Sequence, residues 1–454
     1  MPQPLLVAAP SSGCGKTTVT LGLLAALRRR GLQVAPFKVG PDYIDPGLHR
    51  LAAGRISYNL DGWMSSEEQV RTLFDRASAG ADVALIEGVM GLFDGAFGDS
   101  DIGSSAEIIN WLNGKVLLVI DARAQARSVA ALICGFCRFN PELQWAGVIL
   151  NRVGSKRHEQ LLREACASTP GLPPVLGCLP RSEEIGLPQR HLGLLSAEEG
   201  YLNASLLENL ADWLERYVDL DALQNALGKK DAALQSRTIS SSVQAPSVRI
   251  GIARDAAFCF YYQDNLDRLV AAGAELVSFS PLIDSTLPVA LDGLFFGGGY
   301  PELYGAQLEA NQSLRKEIAG QAKAGLPIYA ECGGLLYLCT SLDGATMTGL
   351  FPAAAKLEKK RRALGYREVV LQEETLLGPA GTRLRGHEFH YTDLQMDAAI
   401  RQVYRVYRAD GEEQPAEGFV YKNCLGSYIH LCFASSLAVA DRLVAACREF
   451  RQNR

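Results

Sequence analysis

Short apolar runs alternate with longer segments of helical period along most of the chain. In the first half the runs are Leu5–Ala9, Val34–Val39, Val83–Ile86, Val116–Ile120 and Ala146–Leu150. Continuous apolar runs of this length, bounded by turn residues, fit strands buried on both faces. The stretches between them, such as Val19–Arg30, carry apolar residues at helical spacing. That stretch stops at Gly31, a helix C-terminal signal. Regular alternation of this kind predicts parallel sheets with crossover helices. Near residue 222 the pattern changes. Asp221 to Ser247 is polar, with Ser240, Ser241 and Ser242 ahead of Pro246, and reads as a helix followed by a linker. The second half resumes with Val248–Ala253, Leu276–Phe279, Leu291–Phe296, Leu326–Ala330 and a strand-rich stretch from Ala363 to Tyr391. No internal repeat relates the two halves. The predicted fold class is α/β in two domains, each a mostly parallel sheet with helices on both faces. The first domain covers 1–222, the linker 223–246 and the second domain 247–454.

Composition narrows the class without deciding it. The 454 residues exceed the roughly 250–300 at which a single core stops growing, so two domains are expected. The net charge of −5 disfavours a nucleic-acid partner. No apolar stretch approaches the roughly 18 residues that span a bilayer, so no membrane partner is expected. The chain runs from Met1 straight into the first apolar run, which leaves no room for an export signal and predicts a cytoplasmic protein. The 11 cysteines have no framework spacing and read as reduced thiols. Cys134 and Cys137 form a lone CxxC on a helical stretch and read as packed thiols.

The chemistry begins at Ala9-Pro10-Ser11-Ser12-Gly13-Cys14-Gly15-Lys16-Thr17-Thr18, between a strand and a helix. Glycines and small residues let backbone amides point at phosphate oxygens. Lys16 is expected to reach the β- and γ-phosphates, and the Thr17 hydroxyl to hold Mg²⁺. Gly13, Gly15, Lys16, Thr17 and Thr18 are therefore the nucleotide-binding candidates. Pro10 stands where this loop usually has its first glycine, which fixes φ there and removes a donor. The strand Val83–Ile86 ends in Glu87, the place for a metal-binding carboxylate in a phosphate-loop fold. Glu87 and Thr17 are the Mg²⁺ candidates. A third run, Phe37-Lys38-Val39-Gly40-Pro41-Asp42-Tyr43-Ile44-Asp45-Pro46, reads as a loop held by two prolines. In it Asp42 or Asp45 ligates Mg²⁺ or positions a substrate, unless one of them only shapes a turn. Lys38, Asp42, Asp45 and Asp94 are the candidates for holding substrate or phosphate, with Asp45 also a metal candidate. Asp94-Gly95 also reads as a plain turn. Asp121 reads as a helix N-cap. Asn151, at the end of another strand, reads a purine edge or forms a turn.

The second half holds a different reagent. Pro327 to Leu338 reads as a strand, a sharp turn at Cys332 and a helix. A cysteine at a helix N-terminus is expected to have a lowered pKa and a nucleophilic thiolate. The Gly333 amide is placed for an oxyanion, and the turn Phe296-Gly297-Gly298-Gly299-Tyr300-Pro301-Glu302 offers a second donor near Gly299. The base should be one of six histidines: His49, His158, His191, His387, His390 or His430. The spacing of His387 and Glu388 lacks the helical i,i+4 pattern of a zinc site.

At this point the residues resemble a known family. Cys332 in its turn, the Gly297–Tyr300 segment and the late His430 resemble a class I glutamine amidotransferase domain. A phosphate-loop domain of the dethiobiotin-synthetase type in front of it is similar to the cobyrinate a,c-diamide synthases of cobalamin biosynthesis. The resemblance covers nearly the whole chain. It is carried most specifically by Lys38–Pro46, Glu87–Gly95, Asp121–Ser128, Gly365–Val369 and Gly386–Tyr391. Cobyric acid synthases share the architecture but differ in the segment after the strand acid. Triad amidotransferases have a glutamate two residues after the histidine; here that position is Cys432. The resembled subgroup also lacks it, which implies a Cys332–His430 dyad with Glu388 as a candidate third member.

The resemblance implies transfer of the ATP γ-phosphate to a substrate carboxylate, giving an acyl phosphate. Ammonia released from glutamine at Cys332 then reaches it by an enclosed path. In the family this happens at the a and c side chains of a corrin ring. The implied partners are a corrin polycarboxylate, glutamine and ATP, with Mg²⁺ as cofactor and a homodimer as the expected assembly. The basic run Lys356–Arg362 reads as a solvated loop or as an attractor for a polycarboxylate. Two rivals stand beside this reading. One is the related diamide synthase acting on nickel sirohydrochlorin. The other is a nucleotide switch of the partitioning-ATPase type, whose second half is a binding module with no use for Cys332.

Overall fold

The computed structural model describes residues 2–182, 185–187, 189–190, 193–194, 196–228, 247–358, 360, 362–397 and 399–454. His191, Lys359, Arg361 and positions 229–246 of the expected linker lie outside the described residues. The chain forms two compact units, Met1–Thr238 and Ile239–Arg454. Positions 223–227 are the end of the helix Leu220–Leu227.

The first unit is built on a seven-stranded sheet. Its strands are β1 (Pro4–Ala8), β2 (Val34–Val39), β3 (Tyr58–Leu60), β4 (Val83–Glu87), β5 (Lys115–Asp121), β6 (Gln144–Val153) and β7 (Val175–Pro180). They lie in the order β3-β2-β4-β1-β5-β6-β7, and every pair is parallel. Side chains alternate across each strand, so both faces need cover. Leu5 and Val7 of β1 pack with Leu21 and Leu24 of the helix Lys16–Arg29 and with Leu210 and Leu214 of the helix Ala204–Tyr217. Leu6 and Ala8 face the other way, toward Val70 and Phe74 of one helix and Ile108 and Ile109 of another. This explains why the runs read as continuously apolar. A short hairpin follows, β8 (Gln189–Arg190) with β9 (Gly193–Leu194).

The second unit holds a ten-stranded sheet. Its parallel part contains β10 (Val248–Ala253), β11 (Ala274–Phe279), β12 (Gly293–Phe296) and β13 (Ile328–Glu331). A smaller four-stranded sheet interrupts the sequence with β14 (Cys339–Leu342), β15 (Ala345–Thr346), β16 (Phe351–Leu357) and, later, β19 (Thr392–Met396). The main sheet continues with β17 (Ala363–Leu371), β18 (Arg383–His390), β20 (Arg401–Arg408), β21 (Glu413–Tyr421), β22 (Cys424–Ser427) and β23 (His430–Cys432). The order is β11-β10-β12-β13-β22-β21-β20-β17-β18-β23. From β11 to β22 the pairs are parallel; from β22 to β23 they are antiparallel. Phe296, Ile328 and Ala330 face Leu314 and Ile318 on one side. Phe295 and Tyr329 face Leu266, Leu443 and Val444 on the other. Among the described residues no helix is long and apolar enough to cross a membrane.

Candidate active sites

In the first unit the sheet brings the ends of β1, β2 and β4 side by side. Gly13 and Gly15 take the left-handed conformation, with φ of +80° and +95°. A methyl on Gly15 would lie 2.3 Å from the Asn151 amide nitrogen, so only glycine fits. Asn151 donates to the Cys14 carbonyl at 2.9 Å and accepts from the Arg152 amide at 2.8 Å. Its side chain braces the phosphate loop. The Lys16 ammonium donates to Ser11 O at 3.1 Å and Met90 O at 2.5 Å. Burial and then the nearby Lys38 charge lower its pKa. The irregular start at Pro10 is supported from outside the loop. Leu92 donates to the Ala9 carbonyl at 2.9 Å, and a methyl on Gly91 would meet Pro10 O at 2.6 Å. Asp94 accepts from the Gly91 amide at 2.8 Å and so closes its own turn. Thr18 lies in the first turn of the helix Lys16–Arg29.

A charged cluster fills the floor of this site. The Thr17 hydroxyl donates to Glu87 at 2.6 Å. The Lys38 ammonium donates to Asp45 at 2.5 Å and Glu87 at 3.0 Å, with Asp42 at 3.9 Å. Lys38, Asp45 and Glu87 are all buried. Burial works against the Glu87 carboxylate, but Lys38, then His49 and Thr17, hold it well below the usual range. Burial likewise opposes the Lys38 charge, and Asp45, Glu87 and Asp42 outweigh it. The sequence suggests a loop through Pro46, whereas a helix runs from Ile44 to Ala53. Proline is tolerated in a first helical turn because no intrahelical partner awaits its missing N–H. Asp42 Oδ1 accepts from the Ile44 and Asp45 amides, both at 2.9 Å, which is the turn-shaping role weighed for one of the pair.

His49 had no assigned role in the sequence. It is fully buried, with Nε2 2.8 Å from Glu87 and Nδ1 3.3 Å from the Ser57 hydroxyl. Its signal was its place four residues after Asp45 on one helix face. Among the described residues no three His, Cys, Asp or Glu side chains gather as a metal cage. One hydroxyl and one carboxylate are nonetheless the oxygen donors that Mg²⁺ takes beside nucleotide phosphates, so Thr17 and Glu87 fit that ion. Asp121 accepts from Arg152 at 2.5 Å and from the Arg123 guanidinium at 3.0 Å. Cys134 and Cys137 are free, half-buried thiols.

The second unit places Cys332 at the end of β13 with φ 47° and ψ −106°, a strained conformation for a residue with a side chain. Its amide donates to Ser427 O at 2.7 Å, and its thiol donates to Phe389 O at 3.8 Å. A methyl on Gly333 would lie 3.0 Å from the Gly299 amide nitrogen. The two amides expected to serve an oxyanion therefore come together. A methyl on Gly298 would meet His430 Cε1 at 2.4 Å, so the same glycine turn packs against the imidazole. The expected lowering of the thiol pKa is overturned. Burial, then the Glu302 carboxylate, push Cys332 up, with Glu388 and Glu331 adding and the Gly333 amide opposing. The following helix, Gly333–Leu338, has six residues, too short a dipole to prevail against burial and the neighbouring carboxylates.

His430 is buried and opens β23. The turn before it is held by Glu417, which accepts from the Ser427 hydroxyl at 2.6 Å and the Tyr428 amide at 2.5 Å. Burial pushes Glu417 up to about 8. Asn265 accepts from Phe433 N at 2.8 Å and donates to Leu431 O at 2.7 Å. Glu388 does not take the third place beside His430. It accepts from Arg367 at 2.7 Å and pairs with His390 at 2.9 Å, because alternate side chains of β18 leave opposite faces of the strand. The carboxylate that faces His430 belongs to Glu331, 3.4 Å from Nδ1. Neither Glu331 nor Asn265 nor Glu417 stood out in the sequence. His387, cross-strand from His430, is pushed down to about 3 by burial and by His430.

Comparison with known proteins agrees with this division. Residues 5–195 match the family described as the CobQ/CobB/MinD/ParA nucleotide binding domain. Residues 249–438 match the CobB/CobQ-like glutamine amidotransferase domain. Together they define the class: a glutamine-hydrolysing, ATP-dependent amide ligase. The chain is 48% identical over 453 residues to the cobyrinate a,c-diamide synthase of Syntrophotalea carbinolica, covering 98% of each chain. It is 44% identical to the hydrogenobyrinate a,c-diamide synthase of Streptomyces coelicolor, covering 98% of this chain and 97% of that one. A cobyrinate a,c-diamide synthase of Leptospira interrogans is 42% identical, with 98% of each chain covered. The chain belongs to the cobyrinate a,c-diamide synthase family.

Proposed function

We propose that this enzyme amidates the a and c side-chain carboxylates of cobyrinate or hydrogenobyrinate, using ATP and glutamine. The observation that carries this is near-full-length identity of 48% and 44% to proteins named for those two substrates. In the second domain His430 takes the Cys332 proton, and the sulfur attacks the side-chain carbonyl carbon of glutamine. The Gly299 and Gly333 amides receive the oxyanion. His430 returns its proton to the departing nitrogen, which leaves as ammonia. Water then hydrolyses the thioester to glutamate and frees the thiol.

In the first domain a substrate carboxylate oxygen attacks the γ-phosphorus and ADP leaves, giving an acyl phosphate. Ammonia attacks the acyl carbon and phosphate leaves, giving the amide. Gly13, Gly15 and Thr18 shape the phosphate cradle, and Lys16 offsets the charge. Lys38 keeps Asp45 and Glu87 from repelling the phosphates. Thr17 and Glu87 would hold Mg²⁺, which would supply further neutralisation of phosphate charge. We place the boundary between the domains within 223–246, and a cytoplasmic homodimer is the assembly expected.

The test is incubation of the purified protein with cobyrinate, hydrogenobyrinate or nickel sirohydrochlorin, each with ATP, Mg²⁺ and glutamine. Mass spectrometry should show one and then two carboxyl-to-amide conversions of a cobyrinate-type ring, with ADP formed. Conversion of nickel sirohydrochlorin alone would assign the chain to the related reaction. ATP turnover without amidation of any ring would favour a nucleotide switch.

A further inference from the structure

We propose that Glu331, the residue immediately before the nucleophile, orients His430 and stabilises its charged form, so that Cys332, His430 and Glu331 work as a unit. This rests on the glutaminase chemistry proposed above. Amidotransferases of the triad type draw the third group from the histidine's own strand; here that position is Cys432. The geometry supplies the carboxylate from the opposite side. Residues alternate along β13, so Tyr329 and Glu331 share a face, and β22 lies beside it with Glu331 opposite Ser427. Three residues beyond Ser427 the chain brings His430 over that face. Glu331 Oε2 then lies 3.4 Å from Nδ1. Its other oxygen is fixed twice, accepting from the Tyr329 hydroxyl at 2.7 Å and from the Leu431 amide at 3.1 Å. Glu331 and His430 are each 2% exposed. The carboxylate is thereby locked in orientation and shielded from water, where its effect on a nearby charge is strongest.

The consequence is chemical. A carboxylate accepts a proton contact only, so it keeps the histidine proton on Nδ1 and leaves the Nε2 lone pair for the thiol. That matters more here than in an exposed site, because burial and the Glu302 carboxylate work against ionisation of the Cys332 thiol. When His430 takes the proton from sulfur, the imidazolium needs a counter-charge, and Glu331 provides it without being protonated itself. Across the strand pair, His387 is an ionisable group on the same side as this histidine and is held neutral. Glu388 is engaged by Arg367 and His390, and Glu417 by the turn ahead of His430.

Glu331→Gln is the informative change. Its amide oxygen still accepts from Tyr329 and Leu431, so the fold contacts survive. Its NH₂ faces Nδ1 and selects the tautomer with the proton on Nε2, where it blocks proton transfer. Glutamate release from glutamine would be followed against pH for the full-length wild type, Glu331→Gln and Glu331→Asp. Amidation driven by ammonium salts would be measured alongside. Glu331→Gln should lose roughly 10²-fold to 10⁴-fold in kcat with little change in KM for glutamine. The acidic limb of its profile should move to lower pH, because the imidazolium has lost its counter-charge. Glu331→Asp should recover part of kcat, and ammonia-driven amidation should be unchanged in both. A Glu331→Gln enzyme with kcat within a few-fold of wild type and an unmoved acidic limb would overturn the proposal. Joint loss of glutamate release and ammonia-driven amidation would overturn it too, since a structural role alone produces that. A wild type that releases no glutamate, or a Cys332→Ala variant that releases it equally fast, would instead refute the glutaminase reading beneath it.

Discussion

Cys332 is surrounded by acids, and the nearest in effect is Glu302. Glu302 itself is pushed up to about 7 by burial. Above pH 7 Glu302 is a carboxylate and opposes formation of the thiolate beside it; below pH 7 it is neutral and does not. Replacing it by glutamine should ease ionisation of Cys332 only in the alkaline range. Alkylation by iodoacetamide, followed on the Cys332 peptide by mass spectrometry, should run several-fold faster in Glu302→Gln at pH 8. At pH 5.5 the two proteins should react alike. Equal rates at pH 8 would mean that Glu302 does not act on the thiol. This residue-scale picture was only half legible in the sequence. Cys332, Lys16, Thr17 and Glu87 stood out because their chemistry depends on local spacing along one strand–turn–helix. Glu331, Glu302, Asn265 and Glu417 did not, because each acts on a residue brought to it by sheet pairing, which leaves no mark in neighbouring sequence. The expectation of a lowered thiol pKa failed for the same reason, since it counted the helix and missed the carboxylates.

At the scale of elements, the parallel strands were readable because most of them are buried on both faces and their central residues are mainly apolar. Beside them, β20 and β21 carry alternating charge, as in Arg401-Gln402-Val403-Tyr404-Arg405-Val406-Tyr407-Arg408, with Val403, Tyr404 and Val406 buried. One exposed face hides such a strand among polar residues, so β20 and β21 went unread, while β17 and β18 fell in the strand-rich stretch from Ala363 to Tyr391. The helix Ile44–Ala53 was hidden by Pro46, which looks like a breaker but sits in the first turn. Element geometry also makes a sharp prediction at the glycine turn after β12. Gly298 packs against His430, and the added methyl of Gly298→Ala would meet Cε1 at 2.4 Å. Both groups are enclosed, so the ring must move off its partners. Gly298→Ala should lower kcat for glutamate release by about 10²-fold, the scale expected when a general base is displaced. Binding of ATP to the first unit, read by calorimetry, should be unaltered. Full glutaminase activity in this variant would show that the turn yields and the histidine does not.

At the scale of the whole molecule, the two candidate centres lie in separate compact units with separate cores. Each centre is assembled entirely from its own sheet: Lys16, Thr17, Lys38 and Glu87 from β1, β2 and β4 and the helices that follow, Cys332, Glu331 and His430 from β13 and β23. The two half-reactions should therefore come apart by single substitutions, in opposite directions. Cys332→Ala removes the sulfur proposed to carry the glutamyl group. Amidation with glutamine should stop, while ammonium salts should still drive it, because the carboxylate-activating residues are untouched. Lys16→Ala removes the ammonium that offsets phosphate charge, and the scale for losing one such contact is about 10²-fold to 10³-fold. Amidation with either nitrogen source should fall by that factor, while glutamate release in the absence of ATP should persist. The measurements are paired: glutamate formed, and ADP formed, for each variant with each nitrogen source. If Lys16→Ala abolished ATP-independent glutamate release as well, the thiol site would depend on the phosphate site for its own assembly. The unit boundary would then have no chemical meaning. If Cys332→Ala failed to use ammonium salts while still binding ATP, the sulfur would have a second task beyond releasing nitrogen. Only the crossed pattern, each variant keeping the reaction the other loses, matches a chain in which one sheet activates an acid and the other supplies its ammonia.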